Sequence, residues 1–353
     1  MSLDSQGPGR RILSHRFEMK FLKKLKQILT FNIIKWLWRK ISGLWKRPRV
    51  LPVIPEAQSQ LSESKEPLPV KQKDFSIIAV ANQKGGCGKT TTAINLSASL
   101  AMEKRKVLLI DMDPQNHASA GLGVNTNKLT SSIYDVLFKD SDEVSLDDII
   151  TPILPNLDLA PANIILCTAE QTLAKADNGI YRLERAISRM RKRYDYVLID
   201  CPPGMGFLTF NALEACDEVI IPIEIDFFSL RGVGIMLDAI KLLREQTRKE
   251  LYVNILHTLY EETSFNAEMA KDVYLHFRYR VLETKIHRSP GLKETASLGM
   301  PITEYSQNST GSEDYKRLAR EIIKRIERKT ESHIDASRLF RGLVAPGIEV
   351  EGR

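Results

Sequence analysis

A glycine-rich loop between a buried strand and a helix is the feature that most constrains this chain. The apolar run SIIAVA (76–81) predicts a strand, and a helical pattern follows from Thr90 to Leu100. Between them lies the segment Q-K-G-G-C-G-K-T-T (83–91). Glycines let backbone N–H groups approach an anion, and the N-terminus of the helix adds positive potential. The segment therefore predicts a binding site for nucleotide phosphates.

The side chains of this loop suggest separate roles. In the pattern G-x-x-x-x-G-K-[ST], the lysine reaches the β- and γ-phosphates and the hydroxyl binds Mg²⁺. Those positions are Lys89 and Thr90 here, whereas Gln83 replaces the first glycine and Lys84 adds a second lysine. We expect the nucleotide to contact Lys84, Gly85, Gly86, Cys87, Gly88, Lys89, Thr90 and Thr91.

Acidic residues end two further predicted strands. The run KVLLIDMD (106–113) carries Asp111 and Asp113, and the run YDYVLIDCPPG (194–204) carries Asp200. Doubly wound sheets bind their ligands at the carboxyl ends of the strands. Asp200 is therefore suited to hold Mg²⁺ through water.

Alternation of strands and helices defines the predicted fold. Strand candidates lie at 157–161, 196–200, 218–222, 251–257 and 281–286, and helical stretches at 168–192, 229–248, 264–277 and 312–329. This order predicts an α/β fold, a doubly wound and mostly parallel sheet with helices on both faces. The phosphate loop at 83–91 makes the expected fold one of the P-loop NTPase type.

Charge is distributed unevenly along the chain. The first 73 residues carry 16 Lys or Arg against 5 Asp or Glu, whereas the other 280 carry 35 against 39. The overall basic charge therefore belongs to the N-terminal segment and gives no evidence that the body binds nucleic acid. The four cysteines form no CxxC pair, which argues against a disulfide scaffold or a structural zinc site and suggests a reduced compartment.

Composition predicts four regions. Residues 1–47 form an extension with a basic amphipathic helix, and residues 48–73 are a Pro-rich linker. The α/β domain spans 74–329, and 330–353 form a flexible tail.

The motifs resemble those of the ParA/MinD family of deviant Walker A ATPases, most of all its ParA branch. The resemblance covers residues 75–328. It rests on VANQKGGCGKTTTAINLSASLA, VLLIDMDPQNHASAGLG, YDYVLIDCPPG and IHRSPGLKETASLGMPI.

The resemblance implies an ATPase whose two protomers sandwich ATP between them. Lys84 matches the signature lysine that crosses to the partner's phosphates, and Lys89 matches the phosphate-loop lysine. Thr90 matches the Mg²⁺ ligand, Asp113 the hydrolytic aspartate and Asp200 the Walker B acid. We therefore expect Lys84, Asp113 and Lys89 to be catalytic, with ATP and Mg²⁺ as ligands.

Three relatives are less similar. The cysteines are not in the motif contexts of a nitrogenase-type iron protein, and residues 330–353 contain no tyrosine of the kind found in the tail of bacterial tyrosine kinases. A MinD-type protein would lack the sequence Asp113-Pro114-Gln115 and would end in a membrane helix. Residues 312–329 match the closing helix of the ParA pattern instead.

Partners are implied by the same resemblance. A ParA-like ATP dimer binds DNA without sequence preference and is stimulated by a ParB-like protein. Phosphate contacts of this kind need only basic side chains. The candidate DNA contacts are Arg278, Arg280, Lys285, Arg288 and Lys293, although His287 stands where the family usually has proline.

The sequence is compatible with two functions. One is an ATPase switch that partitions a chromosome or plasmid on the nucleoid. The other is a MinD-like positioning ATPase for a cargo other than DNA. Residues 17–47 would then bind an anionic membrane surface through Trp36, Trp38, Trp45 and a lysine-rich face. The same segment could instead be an arm that contacts DNA or a partner, and Met19 is a second candidate start. Either function places the protein in the cytoplasm, on the nucleoid or on the inner membrane face.

Overall fold

An eight-stranded sheet forms the centre of the computed structural model. The structure describes residues 75–138, 143–173, 179–225, 229–247, 249 and 251–342. The helix predicted within 1–47 and the linker at 48–73 lie outside these residues. The strands are Ser76–Val80 (β1), Val107–Asp111 (β2), Thr151–Leu154 (β3), Leu157–Ala160 (β4), Tyr196–Asp200 (β5), Glu218–Glu224 (β6), Tyr252–Tyr260 (β7) and Val281–His287 (β8).

The strand order confirms the predicted fold class. The sheet runs β3-β4-β2-β5-β1-β6-β7-β8. Every neighbouring pair is parallel except β3 with β4, which is antiparallel. Because β1 lies between β5 and β6, strands from distant parts of the sequence end beside it at the same edge of the sheet.

The described part of the chain contains twelve α-helices. They are Lys89–Met102 (α1), His117–Gly121 (α2), Ile133–Phe138 (α3), Leu146–Ile149 (α4), Ala169–Leu173 (α5), Arg182–Ser188 (α6), Phe207–Ala215 (α7), Ser229–Thr247 (α8), Ser264–Phe277 (α9), Pro290–Leu298 (α10), Ile302–Tyr305 (α11) and Thr310–Gly342 (α12). Of these described helices, none is both long enough and apolar enough to cross a bilayer.

Apolar side chains bury both faces of the sheet. On one face Ile78, Leu109 and Leu198 pack in a cluster with Leu96 of α1 and Leu318 of α12. Alternate strand residues are buried as well, because both faces of a doubly wound sheet are covered. Helix α7 contacts β1, and helix α8 contacts β6. The central strands therefore read as continuous apolar runs, which is why the sequence located them, whereas the partly buried edge strand β3 was not predicted.

Two segments differ from the expected helices. The stretch 168–192 is not one helix, since α5 ends at Leu173, a 3₁₀ turn covers Gly179–Tyr181, and α6 ends at Ser188. The residue before α6, Tyr181, has φ −101° and ψ 4°, outside the α-helical range. The last helix, by contrast, continues to Gly342.

We expect the packing of α12 to matter for stability. Leu318 is fully buried against the sheet, so Leu318→Ala should lower the free energy of unfolding by about 2–5 kcal/mol. Urea unfolding measures this change. Arg320→Ala is the matched control on the same helix. The Arg320 side chain is 61% exposed in its ion pair with Glu103, so its loss should cost at most about 1 kcal/mol. Equal costs for the two variants would contradict this packing.

Candidate nucleotide-binding site

The loop after β1 has the backbone that its glycines predict. Gly86 and Gly88 have φ of 74° and 86°, in the left-handed region that other residues adopt only with strain. Gly88 directly precedes α1, whose first residue is Lys89. Gly85 and Gly86 are exposed at the tip of the loop. The positive end of α1 therefore meets an open glycine turn, a geometry that suits an anion.

The side chains of Asn82, in the segment after β1, and of Thr258, on β7, hold this loop. The Asn82 amide donates to the carbonyl oxygen of Pro222 at 2.7 Å, and its Oδ1 accepts from the Lys84 N–H at 3.1 Å. From β7, the Thr258 hydroxyl donates to the carbonyl oxygen of Cys87 at 2.8 Å. These buried contacts fix the loop relative to β6 and β7.

The two lysines of the loop are held differently. Lys89 is buried, and its ammonium donates to the carbonyl oxygen of Lys84 at 3.0 Å. Lys84 is about 30% exposed, and its ammonium lies 2.9 Å from Glu224 Oε2 at the end of β6. Thr90 and Thr91 are half-buried in the first turn of α1.

Asp111 and Asp200 are paired at the ends of neighbouring strands and are fully buried. Burial raises the pKa of Asp111 to about 6, although hydrogen bonds from Ser119 oppose the rise. Burial and then the charge of Asp111 raise the pKa of Asp200 well above its usual range. The nearby Thr90 hydroxyl opposes part of this rise in the pKa of Asp200.

Asp113 is oriented by the turn after β2. Its carboxylate is buried, and Oδ1 accepts from the Gln115 N–H at 2.9 Å. Its own N–H donates to Asp111 Oδ1 at 3.1 Å. Asp111 Oδ2 in turn accepts from the Ser119 hydroxyl at 2.6 Å and the Ser119 N–H at 2.8 Å. Asp111 therefore positions the backbone that carries Asp113.

The residues present fit a magnesium ion together with phosphate. Within the described part of the chain, neither carboxylate oxygen of the buried Asp200 has a hydrogen-bond partner of ordinary geometry. No group of three or more His, Cys, Asp or Glu side chains among the described residues forms a complete metal site. Mg²⁺ usually keeps waters and takes phosphate oxygens, so one or two protein ligands such as Thr90 and Asp200 suffice.

The candidate DNA contacts do not form one open basic surface. Arg288 pairs with Glu261 through Nε at 2.6 Å and with Glu224 through Nη2 at 3.3 Å. The Lys285 ammonium lies 4.0 Å from the centroid of the Tyr260 ring. Arg278 and Lys293 are exposed, and Arg280 is half-buried.

Four residues of the site were missed by the sequence analysis: Asn82, Ser119, Thr258 and Glu224. Asn82 lies two residues after the end of β1, so its place next to the loop is predictable from the sequence. Thr258 and Glu224 reach the loop only because β6 neighbours β1 in the sheet and β7 neighbours β6. That adjacency leaves no local sequence signal.

The sheet, the glycine loop and the strand-end aspartates define a P-loop nucleotide-binding domain. A family profile described as "AAA domain" matches residues 75–253. The chain is 40% identical over 248 residues to the sporulation initiation inhibitor protein Soj of Bacillus subtilis, covering 70% of this chain and 97% of Soj. It is also 40% identical over 252 residues to the chromosome partitioning protein ParA of Myxococcus xanthus, covering 70% and 88%.

Solved structures share the fold. Cobyrinic acid a,c-diamide synthase from Mycobacterium smegmatis, with bound ATP analogue and magnesium, has a TM-score of 0.62 at 32% identity, covering 72% of this chain and 96% of that one. A plasmid partition protein from Borrelia burgdorferi bound to AMPPNP has a TM-score of 0.60 at 26% identity, covering 71% and 99%. The chain belongs to the ParA/MinD family of P-loop ATPases, closest to its ParA branch.

We expect Thr258 to support nucleotide binding through the loop. Thr258→Val keeps the shape of the side chain but leaves the buried carbonyl of Cys87 without its donor, at a cost of about 1–3 kcal/mol. Calorimetry with ADP should show affinity reduced several-fold. Tyr315→Phe is the control, because it removes a buried hydroxyl that bonds Thr92 rather than the loop. It should lower stability without changing ADP affinity, and an equal loss of affinity in both variants would argue against a local effect.

Proposed function

We propose that this protein is a ParA-type ATPase that dimerises with ATP and acts in the partitioning of chromosomal or plasmid DNA. The observation that carries the proposal is the meeting of the glycine loop, Asp113 and Asp200 at one sheet edge, in a chain that spans 97% of Soj at 40% identity. Stimulation by a ParB-like partner is part of the proposal and follows from the family alone.

Nucleotide binding is assigned to the loop and the start of α1. Glycines 85, 86 and 88 let backbone N–H groups approach the phosphates, and Lys89 exchanges its carbonyl partner for phosphate oxygens. Thr91 adds a second hydroxyl beside the loop. Thr90 and Asp200 hold Mg²⁺, which neutralises phosphate charge when bound. The buried oxygens of Asp200, which have no hydrogen-bond partner of ordinary geometry among the described residues, support this role, because a buried carboxylate is stabilised by a nearby cation.

Hydrolysis is assigned to Asp113 and Lys84. Phosphoryl transfer depends mostly on positioning and on charge stabilisation. Asp113 orients the attacking water, since an aspartate is a weak base. Lys84 is the deviant Walker A lysine, and its ammonium stabilises charge on the γ-phosphate of the partner protomer. The partial exposure of the Lys84 side chain at the rim of the loop supports a role across an interface.

Two surfaces are candidates for binding by the ATP dimer. Non-specific DNA is favoured by the family, with Arg278 and Lys293 as the exposed members of the basic cluster. An anionic membrane is the second candidate, through residues 17–47, which lie outside the described residues. The tryptophans and lysines of that segment support it on sequence alone.

Substitutions should separate ATP binding from dimerisation and hydrolysis. Asp113→Ala should dimerise with ATP but hydrolyse it about 100-fold more slowly, because water is no longer oriented. Lys84→Gln should bind ATP, remain monomeric and lose about 1,000-fold in rate, as for a missing charge supplied in trans. Lys89→Ala is the control that should lose ATP affinity itself. Light scattering and phosphate release score all three variants, and wild-type turnover of Lys84→Gln would exclude catalysis in trans.

The two surfaces can be distinguished in one experiment. Arg278→Glu with Lys293→Glu should weaken duplex binding of the ATP-bound protein for every sequence tested, with affinity falling steeply as salt rises. Lys128→Glu with Arg193→Glu gives the same change in net charge outside the cluster and should not. Deletion of residues 1–73 should remove binding to anionic vesicles only. If the deletion also abolishes DNA binding, the DNA contacts lie in the N-terminal segment.

A further inference from the structure

Glu224 joins the phosphate loop to the candidate DNA contacts. Its carboxylate accepts from the ammonium of Lys84 at 2.9 Å and from Nη2 of Arg288 at 3.3 Å. The side chains of Lys84 and Glu224 are 30% and 29% exposed, so solvent screens the pair only in part. Neither the phosphate loop nor the strand-end aspartates require an acid at this position.

The register of two parallel strands places this pair. Val80 of β1 lies beside Ile220 of β6. Lys84 lies four residues after Val80, and Glu224 lies four residues after Ile220. Their side chains form the ion pair. Two residues after the same paired positions, the Asn82 side-chain amide donates a hydrogen bond to the carbonyl oxygen of Pro222. The pair therefore joins the segment after β1 to the last residue of β6, next to the buried hydrogen bond from Asn82.

We propose that Glu224 is a positioning residue that holds Lys84 within its own protomer, so that forming the ATP dimer requires this ion pair to break. The proposal rests on the proposed function, in which Lys84 acts on the partner's phosphates. A carboxylate carries one negative charge, whereas the phosphates of bound ATP carry several. The ammonium therefore exchanges a weaker partner for a stronger one, and the separated protomer keeps Lys84 occupied until a second ATP-bound protomer is present.

The size of the effect follows from exposure and symmetry. Half-exposed ion pairs contribute little, and loss of one shifts an equilibrium by about threefold. Both protomers must break their own pair when the dimer forms, so the two factors multiply. Removing the charge of Glu224 should therefore lower the dimer dissociation constant about tenfold.

Arg288 provides the basis for a matched control. It contacts Glu224 and also Glu261, whose Oε1 lies 2.6 Å from Arg288 Nε. Glu261→Gln removes an acid from the same network without touching Lys84. A change that arose only from net charge, or from release of Arg288, would appear in both variants.

The test compares full-length Glu224→Gln and Glu261→Gln with the wild type. Sedimentation with a non-hydrolysable ATP analogue gives the dimer dissociation constant, and calorimetry with ADP gives the affinity of the monomer and confirms folding. Glu224→Gln should dimerise about tenfold more tightly, with unchanged ADP affinity. ATP turnover should be faster than wild type at low protein concentration and equal at saturation. Glu261→Gln should match the wild type. Dimerisation of Glu224→Gln that is unchanged or weaker would overturn the proposal.

Lys84→Gln separates this proposal from the function on which it rests. If Lys84→Gln cannot dimerise and Glu224→Gln equals the wild type, lysine action in trans stands and restraint by Glu224 is wrong. If Lys84→Gln dimerises and turns over normally, the action in trans is itself wrong. The double variant should behave as Lys84→Gln does, because the ammonium that Glu224 restrains is already absent. Tighter dimerisation of the double variant would show that Glu224 acts through another residue.

Discussion

Parallel hydrogen bonding around β1 is the constraint on which the candidate site depends. Val80 pairs with Asp200 on one side and with Ile220 on the other, and Asp200 pairs in turn with Asp111. Since these strands point the same way, their carboxyl ends bring the glycine loop, the aspartates and Glu224 to one edge. A slip of one residue would turn buried apolar side chains to the other face. The packing that stabilises the sheet therefore also fixes the geometry of the site.

Burial of carboxylates gives the edge its chemistry. Asp111 is satisfied by three hydrogen bonds from Ser119 and the Asp113 N–H, whereas Asp200 beside it has no partner of ordinary geometry in the described part of the chain. A buried charge without a partner is costly, and its pKa rises as a result. A cation placed there relieves this cost. The charge of Lys89 lowers the pKa of Asp200 only in part, and the Lys89 ammonium donates to the carbonyl oxygen of Lys84.

Local patterns identified the fold and half of the site, whereas contacts between distant strands could not be predicted. The sequence located the loop and Asp200 because their residue types follow buried runs directly. It did not find Thr258 or Glu224, which reach the loop from strands about 140 to 170 residues away. The stretch 168–192 was expected to be helical, whereas a 3₁₀ turn at Gly179–Tyr181 interrupts it.

The fold alone does not identify a function, since a cobyrinic acid a,c-diamide synthase and a plasmid partition protein have nearly the same TM-score to this chain.

The ion pairs of Glu224 bear on the regulation of this domain. When Lys84 leaves, Glu224 keeps only Arg288 of these two cations, so Arg288 is held more firmly in the dimer than in the monomer. By linkage, a polyanion that drew Arg288 away would strengthen the hold on Lys84 and oppose dimerisation. DNA contacts that accompany the ATP dimer are therefore better assigned to Arg278 and Lys293, whose side chains are exposed and do not belong to the ion pairs of Glu224 and Glu261 described above.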